Sequence, residues 1–184
     1  EPGRFTVMGH ARLEIVGSGF DPDNLQPCIR GQMVLTHNGV MLGGTEDGSV
    51  SDSARLADRV DHALSQGLDL GAAVDRAVGT RSGSAALAVC DNARETLLLS
   101  TNFGSLYIWQ NPNVTLYASE RSAVAQGAAE LRGRRGDVIE GITRPPPGET
   151  IEISYATGHP SPSTESVARP RPVHRDLRSR SSEL

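Results

Sequence analysis

The chain has 184 residues, of which 37% are hydrophobic and 22% charged, a composition that suits one soluble domain with a packed core. No run approaches the roughly 18 apolar residues of a membrane span, and no basic-then-apolar leader opens the sequence, so a cytoplasmic location without a membrane partner is expected. A formal charge of −4 lacks the basic excess that phosphate neutralisation demands, and nucleic acid is not expected as a partner.

All 18 basic residues are arginine. This excludes chemistry that needs a lysine within the chain: the phosphate-loop lysine of an NTPase, the strand lysine of a protein kinase, the Schiff-base lysine of a pyridoxal enzyme. Two cysteines, Cys28 and Cys90, form no C-x-x-C pair and no disulfide framework.

In chain order, Arg4 to Val16 mixes β-branched and apolar residues and reads as a strand. Gly17 to Pro27 carries a cluster of turn formers and reads as a loop. Gln32 to Thr36 is a short apolar run that stops at His37-Asn38-Gly39. Asn-Gly is a strong turn signal, so a buried strand ending in a tight turn is expected there.

Leu56, Val60, Ala63 and Leu64 recur at helical spacing between Asp52 and Gly67, with Ser51 or Asp52 as the cap. Leu70, Ala73, Val74, Ala77 and Val78 repeat the pattern up to Gly79, predicting a helical hairpin whose apolar stripes face a sheet. From Ser84 the pattern turns to strand. Ala86–Cys90, Thr96–Leu99, Leu106–Trp109 and Val114–Tyr117 are separated by turn residues and predict an antiparallel meander.

A short helix is expected over Ser119 to Ala129, and strands over Asp137 to Ile142 and Thr150 to Tyr155. Beyond Ala156 the sequence turns to Pro, Ser and Arg, and residues 157–184 read as an unpacked tail following a domain over 1–156. The fold class is α+β, with helices laid over antiparallel sheet.

Three short stretches stand out for chemistry: Gly9-His10-Ala11-Arg12-Leu13-Glu14-Ile15-Val16, Thr36-His37-Asn38-Gly39-Val40 and Ser51-Asp52-Ser53. Taken in this order, with Gln26-Pro27 between the first two and Tyr117-Ala118-Ser119-Glu120 later, they resemble the class II glutamine amidotransferases, a group of N-terminal-nucleophile hydrolases. The resemblance runs from about Phe5 to Ile153. It implies a sandwich of antiparallel sheets flanked by helices, partial at its N-terminus, and a domain that releases ammonia from the side chain of L-glutamine for an acceptor domain or subunit. It implies no cofactor.

The residue types suit that substrate. An arginine fork pairs a carboxylate through two parallel bonds, the role the resemblance gives Arg12 toward the glutamine α-carboxylate. Backbone groups of Leu13, Ile15 and Val16 would line the same end. Asp52 matches an aspartate that faces the α-ammonium, with plain helix capping as the competing role. Asn38 and Gly39 match the oxyanion donors: a side-chain amide and a backbone N–H beside a residue small enough for close approach.

The family nucleophile is an N-terminal cysteine whose own α-amine acts as base, whereas this sequence starts Glu1-Pro2-Gly3. Two readings follow: a chain lacking the first strands, or a non-catalytic binding or assembly domain without the cysteine. Cys90 reads as a buried small hydrophobe, and Cys28 lacks the amine that would activate it. His10 and His37 read as structural, His62 as solvated, and His159 and His174 as tail residues. No histidine pair has metal-ligand spacing, so no metal is expected. The segment from Arg12 to Val16 is similar to the asparagine synthetase branch, Val40 after Asn-Gly to the phosphosugar branch, and Pro147-Gly148-Glu149 to the synthetase and phosphoribosyl branches alike. The branch stays open.

Overall fold

The structure, a computed structural model, describes residues 5–11, 21–42, 49–79, 83–133 and 140–155, and the backbone of 165–168. A three-residue 3-10 turn, Pro22–Asn24, precedes a short strand β1 (Cys28–Arg30). β1 turns at Gly31-Gln32 into β2 (Met33–Met41). Helices α1 (Asp52–Ser65) and α2 (Leu70–Val78) follow, then β3 (Gly83–Asp91), β4 (Thr96–Thr101), β5 (Tyr107–Gln110), β6 (Thr115–Ala118), α3 (Arg121–Arg132), β7 (Glu149–Ser154) and β8 (Glu165–Ala168). One sheet has the order β1-β2-β3-β4-β7-β8 and is antiparallel throughout; β5 and β6 form a second.

The two-residue period of β3 builds the layers. Ala85, Leu87 and Val89 point to one side, where they pack with Leu56, Val60, Val74 and Ala77 of the helical hairpin. Ala86, Ala88 and Cys90 point to the other and pack, with Leu97, Leu99, Ile151 and Ile153, against Leu106, Ile108 and Tyr117. The second sheet repeats the device: Ile108 faces the first sheet, while Tyr107 and Trp109 face Val124 and Ala128 of α3. Helices, sheet, sheet and helix therefore stack as an α-β-β-α sandwich, the architecture expected of an N-terminal-nucleophile hydrolase.

Both hairpin helices start where the sequence predicts. Ser51 caps α1 by accepting from Ala54 N at 3.1 Å, and Asp69 caps α2 by accepting from Ala72 N at 2.6 Å. Trp109 is a buried core aromatic, with the Arg132 guanidinium 5.3 Å above its ring.

Four expectations are corrected. The tight turn at Asn38-Gly39 does not form: β2 runs straight through both residues, in register with Ala86 and Ala85 of β3. The meander divides, because after β4 the chain crosses to the second sheet and β7 takes the place beside β4. Residues 5–11 join neither sheet; Phe5 and Val7 are exposed while Met8 packs on the inter-sheet core. Of the strand expected over Asp137 to Ile142, residues 140–142 form no strand and lead into a single bridge between Thr143 and Ile108, and residues 137–139 lie outside the described residues. Within the stretch read as a tail, Glu165–Ala168 pairs with Glu149–Glu152 as β8; the rest of that stretch lies outside the described residues.

The crossover from β4 to β5 passes directly over β3. A Cβ at Gly104 would stand 2.6 Å from Ala86 N and 2.7 Å from the Ala85 carbonyl carbon, both backbone atoms of a central strand. Gly104→Ala is expected to cost about 1–3 kcal/mol by forcing the loop off the sheet, read as a lower urea midpoint at unchanged slope.

Candidate functional site

The site centres on the free half of one strand edge. Backbone N–H groups alternate in direction along a strand. In β2 the odd-numbered residues face β1, whose ladder ends at Leu35. Beyond it, His37 N–H donates to Gln26 Oε1 at 2.6 Å and Met41 N–H donates to Asp52 Oδ2 at 2.9 Å. Gly39 lies between them with its N–H on the same edge and no acceptor among the described residues. Side chains close both flanking donors, and among the described residues the middle one is open.

Glycine is demanded at this position by two independent constraints. Its φ of 143° lies in a region that side-chain-bearing residues rarely adopt, and a Cβ would stand 2.0 Å from Ser84 O of β3. The close approach keeps the strand tight against β3 while it remains accessible from the other edge. Asn38 is exposed, and its side-chain amide has no partner among the described residues. By the alternation it shares the inter-sheet face with Val34.

The start of α1 is built into the same edge. Asp52 is the first helical residue, behind the Ser51 cap, and its carboxylate spans two elements: Oδ1 accepts from Ser53 N at 2.9 Å while Oδ2 accepts from Met41 N. Negative charge at a helix N-terminus is favourable. Each carboxylate oxygen keeps lone-pair capacity for a further donor, and the side chain is 12% exposed. Asn24 ties the preceding loop down, its Oδ1 accepting from Ser51 N at 2.5 Å and its amide donating to Ser49 O at 2.9 Å.

His37 lies on the opposite face of β2 from Asn38, 2% exposed, under α1. Its Nδ1 is 3.1 Å from Ser53 Oγ and its Nε2 is 3.4 Å from Ser84 O. Gln26 Nε2 donates to the same Ser53 Oγ at 3.0 Å. Asp52 Oδ2, 4.0 Å from Nδ1, favours the charged ring, but burial outweighs it and holds the His37 pKa below its usual 6.5.

Of the residues singled out in the sequence, Asn38, Gly39 and Asp52 come together on one strand edge and the adjoining helix start. Arg12, Leu13, Ile15 and Val16 lie outside the described residues. Cys28 and Cys90 are both buried, Cys28 Sγ directed at Leu25 O (3.4 Å) and Cys90 Sγ 3.1 Å from Tyr155 Oη. Sequence reasoning gave no role to Gln26 and Ser53, although both fall inside the quoted motifs. Their signal was polar residues flanking a predicted buried strand and helix start. An open depression of about 330 Å³, lined by Thr101–Gly104 and Arg144–Pro147, lies across β3 from Asn38, since Asn38, Ala86 and Thr101 are in register.

The depressed His37 pKa has a signed consequence. The unfolded chain takes up a proton near pH 6.5, whereas the folded ring resists it until lower pH. The ring's effect on folding is therefore flat above about pH 6.5, and stability falls below it by up to about 1.4 kcal/mol per pH unit until the folded ring also titrates. Urea midpoints at pH 7.5 and 5.5 should drop more in the wild type than in His37→Gln.

No known protein family matches the sequence, and no curated protein matches it either. Solved structures do match in fold. The glutamine phosphoribosylpyrophosphate (PRPP) amidotransferase from B. subtilis complexed with ADP and GMP superposes with a TM-score of 0.53 at 18% identity, over 79% of this chain. The structure described as the allosteric regulatory enzyme of purine biosynthesis gives 0.52 at 20% identity, over 72% of this chain. This chain spans 32% and 30% of their respective lengths. The likeness is one of fold: the α-β-β-α sandwich of this chain is shared with part of each of these two structures.

Proposed function

We propose that this chain is a glutamine amidotransferase domain that hydrolyses the side-chain amide of L-glutamine and passes the ammonia to an acceptor domain or subunit. The observation that carries the reading is the Gly39 N–H, which meets no acceptor among the described residues, is flanked by two closed donors and is adjoined by the exposed Asn38 amide. A nucleophile attacking the δ-carbonyl turns that oxygen into an oxyanion, and two donors aimed at it lower the barrier by about 2.7–4 kcal/mol each. Asp52, at the same edge, has capacity to receive the substrate ammonium. Arg12 takes the carboxylate on this reading, and the backbone at Leu13, Ile15 and Val16 lines that end of the pocket.

The attacking group on this reading is a cysteine at the head of the full-length protein, with its own amine as base. Cys28 and Cys90 are poor candidates because both thiols are buried and already directed at protein oxygens. That observation also favours a second reading, a domain that binds glutamine without turning it over. Ammonia release by the full-length protein separates the two.

For the first reading, Asn38→Ala is expected to reduce glutamine hydrolysis by about 10²–10³-fold while the melting temperature stays unchanged, because the side chain is exposed and bonds to no described residue. Arg12→Ala is expected to raise the Michaelis constant for glutamine by about 10- to 100-fold, the loss of a charge-assisted bidentate contact. Unchanged glutamine kinetics in both variants would overturn the assignment.

A further inference from the structure

The polar groups beneath β2 form a chain of hydrogen bonds whose direction is fixed from one end to the other. His37 backbone N–H can only donate, so the Gln26 atom facing it at 2.6 Å is the carbonyl oxygen Oε1. That sets the Gln26 amide nitrogen toward Ser53 Oγ at 3.0 Å, where it donates. At the other end the Ser84 carbonyl, 3.4 Å from Nε2, can only accept, so the neutral ring carries its hydrogen on Nε2. Nδ1 is then bare and accepts from the Ser53 hydroxyl, 3.1 Å away. The Ser84 carbonyl is also the one a Cβ at Gly39 would strike. The chain thus begins at the backbone of one residue next to Asn38 and ends at the carbonyl packed beneath Gly39.

We propose that Gln26, Ser53 and His37 are positioning residues that set the orientation of the Asn38 and Gly39 donors. Gln26 fixes the strand from its edge and the His37 ring fixes it from the helix face, with Ser53 joining the two supports. Asp52 completes the bracket at Met41. The edge donors are held by protein groups before any ligand arrives, which is the preorganisation an oxyanion site requires. The catalytic use of this arrangement rests on the glutamine reading; the positioning itself does not.

Heteronuclear NMR of the imidazole nitrogens in the intact chain tests the direction of the chain. A neutral ring protonated at Nε2 is expected, and an Nδ1-protonated ring would overturn the proposal. Ser53→Ala removes the joint, and the Gly39 amide resonance is expected to move, with glutamine affinity falling about tenfold in calorimetry, the net value of one hydrogen bond. Ser53→Thr, which keeps the hydroxyl, is expected to restore both.

Gln26→Glu is the second probe: the carboxylate still accepts from His37 N–H but draws the Ser53 proton away from Nδ1, so the His37 titration is expected to move to higher pH. Should both substitutions leave the Gly39 resonance and the His37 titration at their wild-type positions, the positioning role is refuted. If those shifts occur but the wild type does not bind glutamine, the positioning role stands and the glutamine reading falls.

Discussion

β2 is paired along its whole length on one edge and for only its first residues on the other, and the site exists because of that asymmetry. A strand paired on both edges has no donor to offer a ligand; a strand paired on neither has no defined shape. Here β3 supplies shape through nine registered positions from Met33 to Met41, while β1 stops at Leu35. The edge left open would be a template for unwanted pairing along its length. Gln26 and Asp52 close it on either side of Gly39, leaving among the described residues a gap one residue wide.

The same asymmetry distributes work between the two faces of the strand. His37, on the helix side, is buried and neutral, and Asn38, on the inter-sheet side, is exposed. A one-residue slip of β2 against β3 would exchange them, burying the amide and exposing the ring. The close contact at Gly39 blocks such a slip, because every other residue of β2 carries a Cβ that cannot occupy the position 2.0 Å from Ser84 O. Register, burial and site geometry are therefore fixed by one glycine.

How much of this was legible in the sequence depended on whether the deciding contact was local. The hairpin helices were, since Ser51 and Asp69 cap through bonds three residues long and the apolar stripe has helical period. Asn38-Gly39 has the composition of a turn yet lies inside a strand. An Asn-Gly pair reports only that positive φ is tolerated; whether the chain reverses there depends on β3, which begins more than forty residues later. The meander failed for the same reason, as nothing local tells β5 to leave the sheet in favour of β7. Gln26 and Ser53 stand 27 positions apart, and only the fold shows that they meet. The lack of a matching family beside a shared fold follows the same logic: layer patterning survives wholesale replacement of side chains.

The charge at the open edge constrains what can occupy it. With His37 neutral, the Asp52 carboxylate has no charged partner among the described residues, its neighbours being the N–H groups of Met41 and Ser53. A negative charge so placed works against an oxyanion forming beside Gly39 unless a cation stands between them. A ligand carrying its own ammonium supplies that cation, converting an unfavourable neighbour into a binding contact. On the glutamine reading the α-amino group would therefore serve twice, in recognition and in electrostatic balance. A simple amide, with the same carbonyl but no ammonium, meets the carboxylate uncompensated. On that reading, discrimination against such amides would arise from the placement of one aspartate at a helix start.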